Sequence, residues 1–144
     1  MQQLPHHYFV GAAASQQGSV ILSSPGLTEL ATAPPAEFGG PGDLWSPETL
    51  LVGAVANCFI LSFRAIARAS KLEWQELSCQ VEGVLDRLEG KTRFTDLNLV
   101  VKLQIGAATD EVRAQRILEK AEETCLITNS MTARIGLTTD IAVV

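Results

Sequence analysis

Cys58, Cys125 and Glu48 are the side chains whose types and spacing suit chemistry. Cys58 lies inside the apolar run LLVGAVANCFILSF, and Cys125 ends the charged segment DEVRAQRILEKAEETC. A thiol shielded by apolar residues and met by a second thiol from a distant segment is the pattern of a redox pair. One sulfur attacks an oxidant and the other closes a disulfide. It is equally the pattern of two core thiols, because free cysteine packs as a small hydrophobe. Only the thiolate is a nucleophile, and it needs a cation, a hydrogen-bond donor or a helix N-terminus to form readily.

The spacing limits what can help Cys58. Pro47 opens the predicted helix eleven residues earlier, so the positive helix end is ~16 Å away and out of reach. Glu48 is ten residues away, ~15 Å along the same axis. To share a site with Cys58 it comes most simply from a second copy of the helix, packed antiparallel across a two-fold axis. A functional Glu48 therefore implies a dimer. Cys79 begins an alternating strand with no acid, base or cation motif nearby and reads as core packing, while His6 and His7 have no partner spacing for a metal.

The elements that must position these residues follow from local chemistry. Ser46, Pro47 and Glu48 form a helix start: a capping hydroxyl, a proline at the first helical position and a carboxylate at the positive dipole end. The helix is predicted to run to about Ser70 and is apolar on nearly every side through Phe63, as in a helix surrounded by protein. Before it, HYFVGAAAS, SVILSS and GLTELATA read as an antiparallel meander with turns at Gln16–Gly18 and Ser24–Gly26. The segment PPAEFGGPGD reads as a loop. After the helix, CQVEGVLDRL and RFTDLNLVVKLQI flank Glu89, Gly90 and Lys91 as a hairpin, with Leu97, Leu99, Val101, Leu103 and Ile105 alternating inward. Thr109, followed by Asp110 and Glu111, caps a second predicted helix that carries Ala114, Leu118, Ala121 and Cys125 on one face. GLTTDIAVV closes the chain as a strand. The expected architecture is α+β, with antiparallel sheets wrapped around a long buried central helix, in a single domain over 1–144.

Eleven basic residues against sixteen acidic ones give a net charge of −5, with the cations scattered, which argues against nucleic acid as a partner. Hydrophobic content of 47% leaves room for an oligomer interface. The start, MQQLPHHYFV, has no basic region before an apolar core, so the expectation is a cytoplasmic protein, where paired thiols are more often catalytic or sensing than structural. The central apolar stretch of about fifteen residues suits a core helix better than a bilayer span of about twenty. Asn57 and Ser62 interrupt it, Arg64 and Arg68 follow directly, and no membrane partner is expected.

The run SPETLLVGAVANCFILSF resembles the central helix of the OsmC/Ohr family, the osmotically inducible protein C and organic hydroperoxide resistance proteins. There a proline and a glutamate open the helix and small residues lead to the reactive cysteine. ETCLITNSM resembles that family's second cysteine motif, and the element order agrees over nearly the whole chain. The resemblance implies an OsmC-like intertwined homodimer and a thiol-dependent peroxidase acting on organic hydroperoxides. Cys58 would be the peroxidatic thiol, Cys125 the resolving thiol and Glu48 a site residue. No bound cofactor or metal is implied, and an external dithiol is the reductant. The turn between the first two strands departs from the pattern. The family's reductases carry an arginine there that pairs with the glutamate and stabilises the thiolate, whereas this chain reads SQQGS. Gln16 or Gln17 can donate a hydrogen bond but supplies no charge. Leu126 stands where proline often follows the second cysteine, and Arg64, Arg68 and Arg134 are the candidate replacement cations. The same features also suit a non-enzymatic relative that binds a small apolar ligand or senses oxidants.

Overall fold

In the computed structural model, which describes residues 1–144, the chain divides into two units, Met1–Leu50 and Leu51–Val144. The first unit holds the expected meander, strands β1 (Gly11–Ala13), β2 (Val20–Ser23) and β3 (Leu30–Thr32), antiparallel in that order. The strands are shorter than the sequence suggests, and Tyr8, Phe9 and Val10 stand exposed before β1. The proline and glycine-rich loop closes on itself, where the Ala33 N–H donates to the Trp45 carbonyl at 3.0 Å.

Helix α1 (Pro47–Ala69) begins in this unit and continues into the next. Its start is a reciprocal cap: Ser46 Oγ accepts from the Thr49 N–H at 3.1 Å, and Thr49 Oγ1 accepts from the Ser46 N–H at 2.8 Å. Threonine here takes the part that glutamate or glutamine plays in a capping box.

The second unit is built on β4 (Glu76–Leu88), β5 (Lys91–Ile105) and β6 (Arg134–Val143), in that order. Glu89 and Gly90, both at positive φ, make a two-residue turn that pairs Leu88 with Lys91, and this is the turn geometry that matches strand twist. β4 and β5 are antiparallel, but β6 runs parallel to β5. The sheet is therefore mixed rather than wholly antiparallel. The reason lies in the connection: helices α2 (Glu111–Glu123) and α3 (Leu126–Asn129) carry the chain back across, which a short turn cannot do.

Val55, Phe59, Phe63 and Ala67 form a fully buried stripe along α1. They share one core with the inward row of β5 (Leu97 to Ile105) and with Ala114, Ile117, Leu118 and Ala121 of α2. Phe63 meets Trp74 edge-on, with ring centroids 5.4 Å apart. Its own chain buries α1 along this one stripe, while Leu51 and Leu61 are exposed. By length and mean hydropathy, 1.9 in its most apolar window, α1 could cross a membrane. Its buried stripe is packed on protein, as in a core helix.

The cap of α2 is Asp110 rather than Thr109. The Asp110 carboxylate accepts from the Val112 and Arg113 N–H groups, while the Thr109 hydroxyl is engaged on the Glu73 carbonyl. Arg113 in turn donates to the Ser70 carbonyl at the end of α1, which satisfies one of the carbonyls a helix end leaves free.

Gly83 marks a close approach of β4 to α1: a Cβ there would lie 2.6 Å from Val52 Cγ2 and 2.9 Å from Phe94 Cε1. Gly83→Ala is expected to destabilise the fold by about 1–3 kcal/mol through overpacking. A urea midpoint equal to that of the parent protein would contradict this packing.

Candidate active site

Cys58 precedes Phe59 on α1, so it sits at the edge of the buried stripe and is half-buried. Cys125 lies just beyond α2, in the cap position of α3, and is 1% exposed. The chain turns between them, with the Cys125 N–H donating to the Glu122 carbonyl at 3.1 Å. This turn brings Cys125 near Cys58, close enough to influence its thiol.

Burial is the largest influence on Cys58 and raises its thiol above the ordinary 9.0. The Ile127 N–H and the Ser62 hydroxyl act the other way by donating to the sulfur, whereas the hydrogen bond and charge of Cys125 add to the rise. None of these groups is a cation. The three arginines expected as replacements are elsewhere: Arg64 and Arg68 are exposed on α1, and Arg134 is held by Asp96 at 2.9 Å. Leu126 is exposed in the first turn of α3.

Cys79 pairs with the inward-facing Val101, packs against the core and is partly buried. Burial, and then the charge of Cys125, push its thiol up to about 11. The reading of Cys79 as a core residue holds, but Cys125 is its neighbour, which no local motif announced. Phe59 is wholly buried in the core, and Met131, partly buried, packs against it. In the first unit, Glu48 lies in the first turn of α1, and its Oε2 is shielded from solvent with no hydrogen-bond partner. Gln16 and Gln17 are exposed in the turn between β1 and β2.

The family model described as OsmC-like protein matches residues 40–140, which include Glu48, Cys58 and Cys125. The chain belongs to the OsmC-like family. It is 28% identical over 138 residues to the uncharacterised protein YmaD of Bacillus subtilis, covering 92% of this chain and 91% of that one. It is 26% identical over 133 residues to an organic hydroperoxide resistance protein of Xanthomonas axonopodis, covering 91% and 90%. An OsmC-like protein of unknown function from Vibrio cholerae has the same fold, with a TM-score of 0.84 at 16% identity over 96% of this chain and 100% of that one. An organic hydroperoxide resistance protein OsmC from Legionella pneumophila gives 0.75 at 24% identity, over 98% and 100%. The α+β fold with two sheets and a central helix is thus the OsmC-like fold.

Two contributors to the thiol site of this OsmC-like chain escape motif reading. Ser62 had a readable signal, its four-residue spacing from Cys58 on one helix. Ile127 had none, because it acts through its backbone.

Two titrations follow. With the Cys58 thiol raised and no cation beside it, its thiolate fraction should grow about tenfold per pH unit through the neutral range. Alkylation of Cys58 by iodoacetamide, resolved by mass spectrometry, should keep rising through pH ~9, and a plateau below neutrality would refute this electrostatic picture. For Cys79 the folded thiol is raised to about 11 from an ordinary 9.0. Its contribution to stability is therefore full below the unfolded value and is lost as pH climbs through the folded one. Cys79→Ala should flatten the loss of stability between pH ~9 and ~11, read from urea midpoints.

Proposed function

We propose that the protein is a thiol-dependent peroxidase for organic hydroperoxides, with Cys58 attacking and Cys125 resolving. The observation that carries this reading is the proximity of a half-buried and a buried thiol from distant segments, with Cys125 near enough to raise the Cys58 thiol. In the first step an S–O bond forms as the peroxide O–O bond breaks, leaving Cys58 as a sulfenic acid. The departing alkoxide takes the proton of the thiol and leaves as an alcohol. In the second step Cys125 attacks the Cys58 sulfur, an S–S bond forms, and the hydroxyl leaves as water with the Cys125 proton. An external dithiol restores both thiols by exchange, so no bound cofactor or metal is required. The name of the Xanthomonas relative supports the substrate class, and the apolar surroundings of Cys58 suit an alkyl or lipid-like chain.

The working unit in this reading is a homodimer of one OsmC-like domain spanning 1–144. Exposed Leu51 and Leu61 on α1, with Tyr8, Phe9 and Trp45 in the first unit, are apolar surface that a second copy would cover. Glu48 fits the same picture, because a carboxylate oxygen shielded from water without a donor is costly and a partner group would relieve it. A reducing cytoplasm would supply the dithiol, and neither nucleic acid nor membrane is a partner. The raised Cys58 thiol and the absence of a cation beside it favour one competitor: a slower oxidant sensor or a binder of a small apolar ligand on the same fold.

The discriminating experiment treats the reduced protein with one equivalent of cumene hydroperoxide and follows the thiols by mass spectrometry. Rapid Cys58–Cys125 disulfide formation is expected for the peroxidase, slow formation for the sensor, and two intact thiols would sink both thiol-based readings. Cys58→Ser should abolish peroxide consumption, and Cys125→Ser should halt it after one turnover, at the sulfenic acid. Gln16→Arg or Gln17→Arg should accelerate the reaction if the missing charge is what limits it. Sedimentation should give twice the 15.5 kDa chain mass.

A further inference from the structure

All three cysteines of the chain belong to the Leu51–Val144 unit, and the two-thiol chemistry leaves Cys79 unused. Cys79 lies in β4, on the covered face that it shares with Leu77, Val81 and Gly83. It stands opposite Val101, which is wholly buried in the inward row of β5. That row shares one core with Ala121 of α2, and Cys125, four residues further on, is buried as well. β4 and the end of α2 thus deliver their thiols to one packed layer, where Cys125 acts on Cys79 as it does on Cys58. Neither Cys58 nor Cys79 is among the groups acting on the other. Cys125 is therefore the middle member of a cluster of three thiols.

The place of Cys79 suits exchange rather than attack on peroxide. Burial pushes its thiol up to about 11, so its thiolate is scarce at neutral pH. A sulfur of high pKa is a strong nucleophile once ionised and a poor leaving group. Held beside a disulfide it reacts at high effective concentration, and it stays in the bond it forms.

We propose that Cys79 is a second partner for Cys125, taking over the disulfide formed at Cys58 and freeing Cys58 to react with another hydroperoxide. In the exchange the Cys79 sulfur attacks the Cys125 sulfur. The Cys79–Cys125 bond forms, the Cys58–Cys125 bond breaks, and the Cys79 proton passes to the departing Cys58 sulfur. No electrons enter or leave, so the oxidising equivalent of the first hydroperoxide moves from one pair to the other. The chain then consumes a second hydroperoxide before an external dithiol is needed. The source of the oxidant rests on the peroxidase reading, whereas the exchange between thiols does not.

The test gives the reduced full chain one equivalent of cumene hydroperoxide, then a second together with dimedone, which traps sulfenic acids. Free thiols are blocked with N-ethylmaleimide in acid, so that disulfides do not reshuffle, and the products are mapped by mass spectrometry. The expected product carries a Cys79–Cys125 disulfide and a dimedone adduct on Cys58, with about two equivalents of hydroperoxide consumed. Cys79→Ala should stop at about one equivalent, with Cys58 locked to Cys125 and no adduct. A persistent Cys58–Cys125 disulfide in the unaltered chain, with Cys79 still a free thiol, overturns the proposal, and this readout needs no variant to fold. Diamide, which oxidises dithiols without peroxide, separates the two readings. If cumene hydroperoxide stays intact while diamide yields the Cys79–Cys125 disulfide, the peroxidase reading falls and the exchange pair stands. If diamide yields only the Cys58–Cys125 disulfide, the exchange pair falls.

Discussion

The packing of Val55, Phe59, Phe63 and Ala67 onto the inward row of β5 sets the positions of everything else in the Leu51–Val144 unit. Each of the large side chains in this contact is worth roughly 1.5–3 kcal/mol of burial, and the contact fixes the rotation of α1 about its axis. Cys58, one position before Phe59, is thereby held at the margin of the core, neither sealed nor free. The same core receives α2 through Ala114, Ile117, Leu118 and Ala121, and the turn after Glu123 then has only a short way to carry Cys125 into the neighbourhood of Cys58. Gly83 allows the close approach of β4 to α1, since any side chain there would strike Val52.

The burial that brings the thiols together also opposes their chemistry. Removing a sulfur from water disfavours its charged form, so Cys58 and Cys79 are both pushed toward the neutral thiol. Against this the chain sets two hydrogen-bond donors and no cation. Such a site has a thiolate that is accessible but scarce at neutral pH. Glu48, with a shielded and unpartnered carboxylate oxygen, is the mirror case, an acceptor without a donor within the chain. The OsmC-like fold here leaves apolar surface exposed on α1 and polar capacity unmet at its start, and both are features that a second copy of the chain would complete.

Much of this was legible in the sequence because it rests on short-range rules. The start of α1 at Pro47, the inward alternation of β5 and the hairpin turn at Glu89–Gly90 appear in the structure as the residues predict. The cap of α2 moved by one residue because Thr109 found a carbonyl 36 residues away in sequence, at Glu73. The direction of β6 was not legible either, since strand polarity depends on where α2 and α3 carry the chain. Which side of α1 its own chain covers was not legible for a related reason. An apolar composition on all sides does not say which side its own chain will cover.

The sequence by itself determined most of the element types and the family to which the chain belongs, and it singled out Cys58 and Cys125 and the glutamine turn at Gln16 and Gln17. These are encoded locally, in periodicity, caps and motifs. Only the tertiary structure decided that Cys125 comes near both Cys58 and Cys79, and that the Ile127 N–H and the Ser62 hydroxyl rather than an arginine pull the Cys58 thiol down. Those facts depend on which face of α1 is buried and where a turn between two helices ends. Both are set by packing between residues far apart in the chain, and neither is written in any short segment of it.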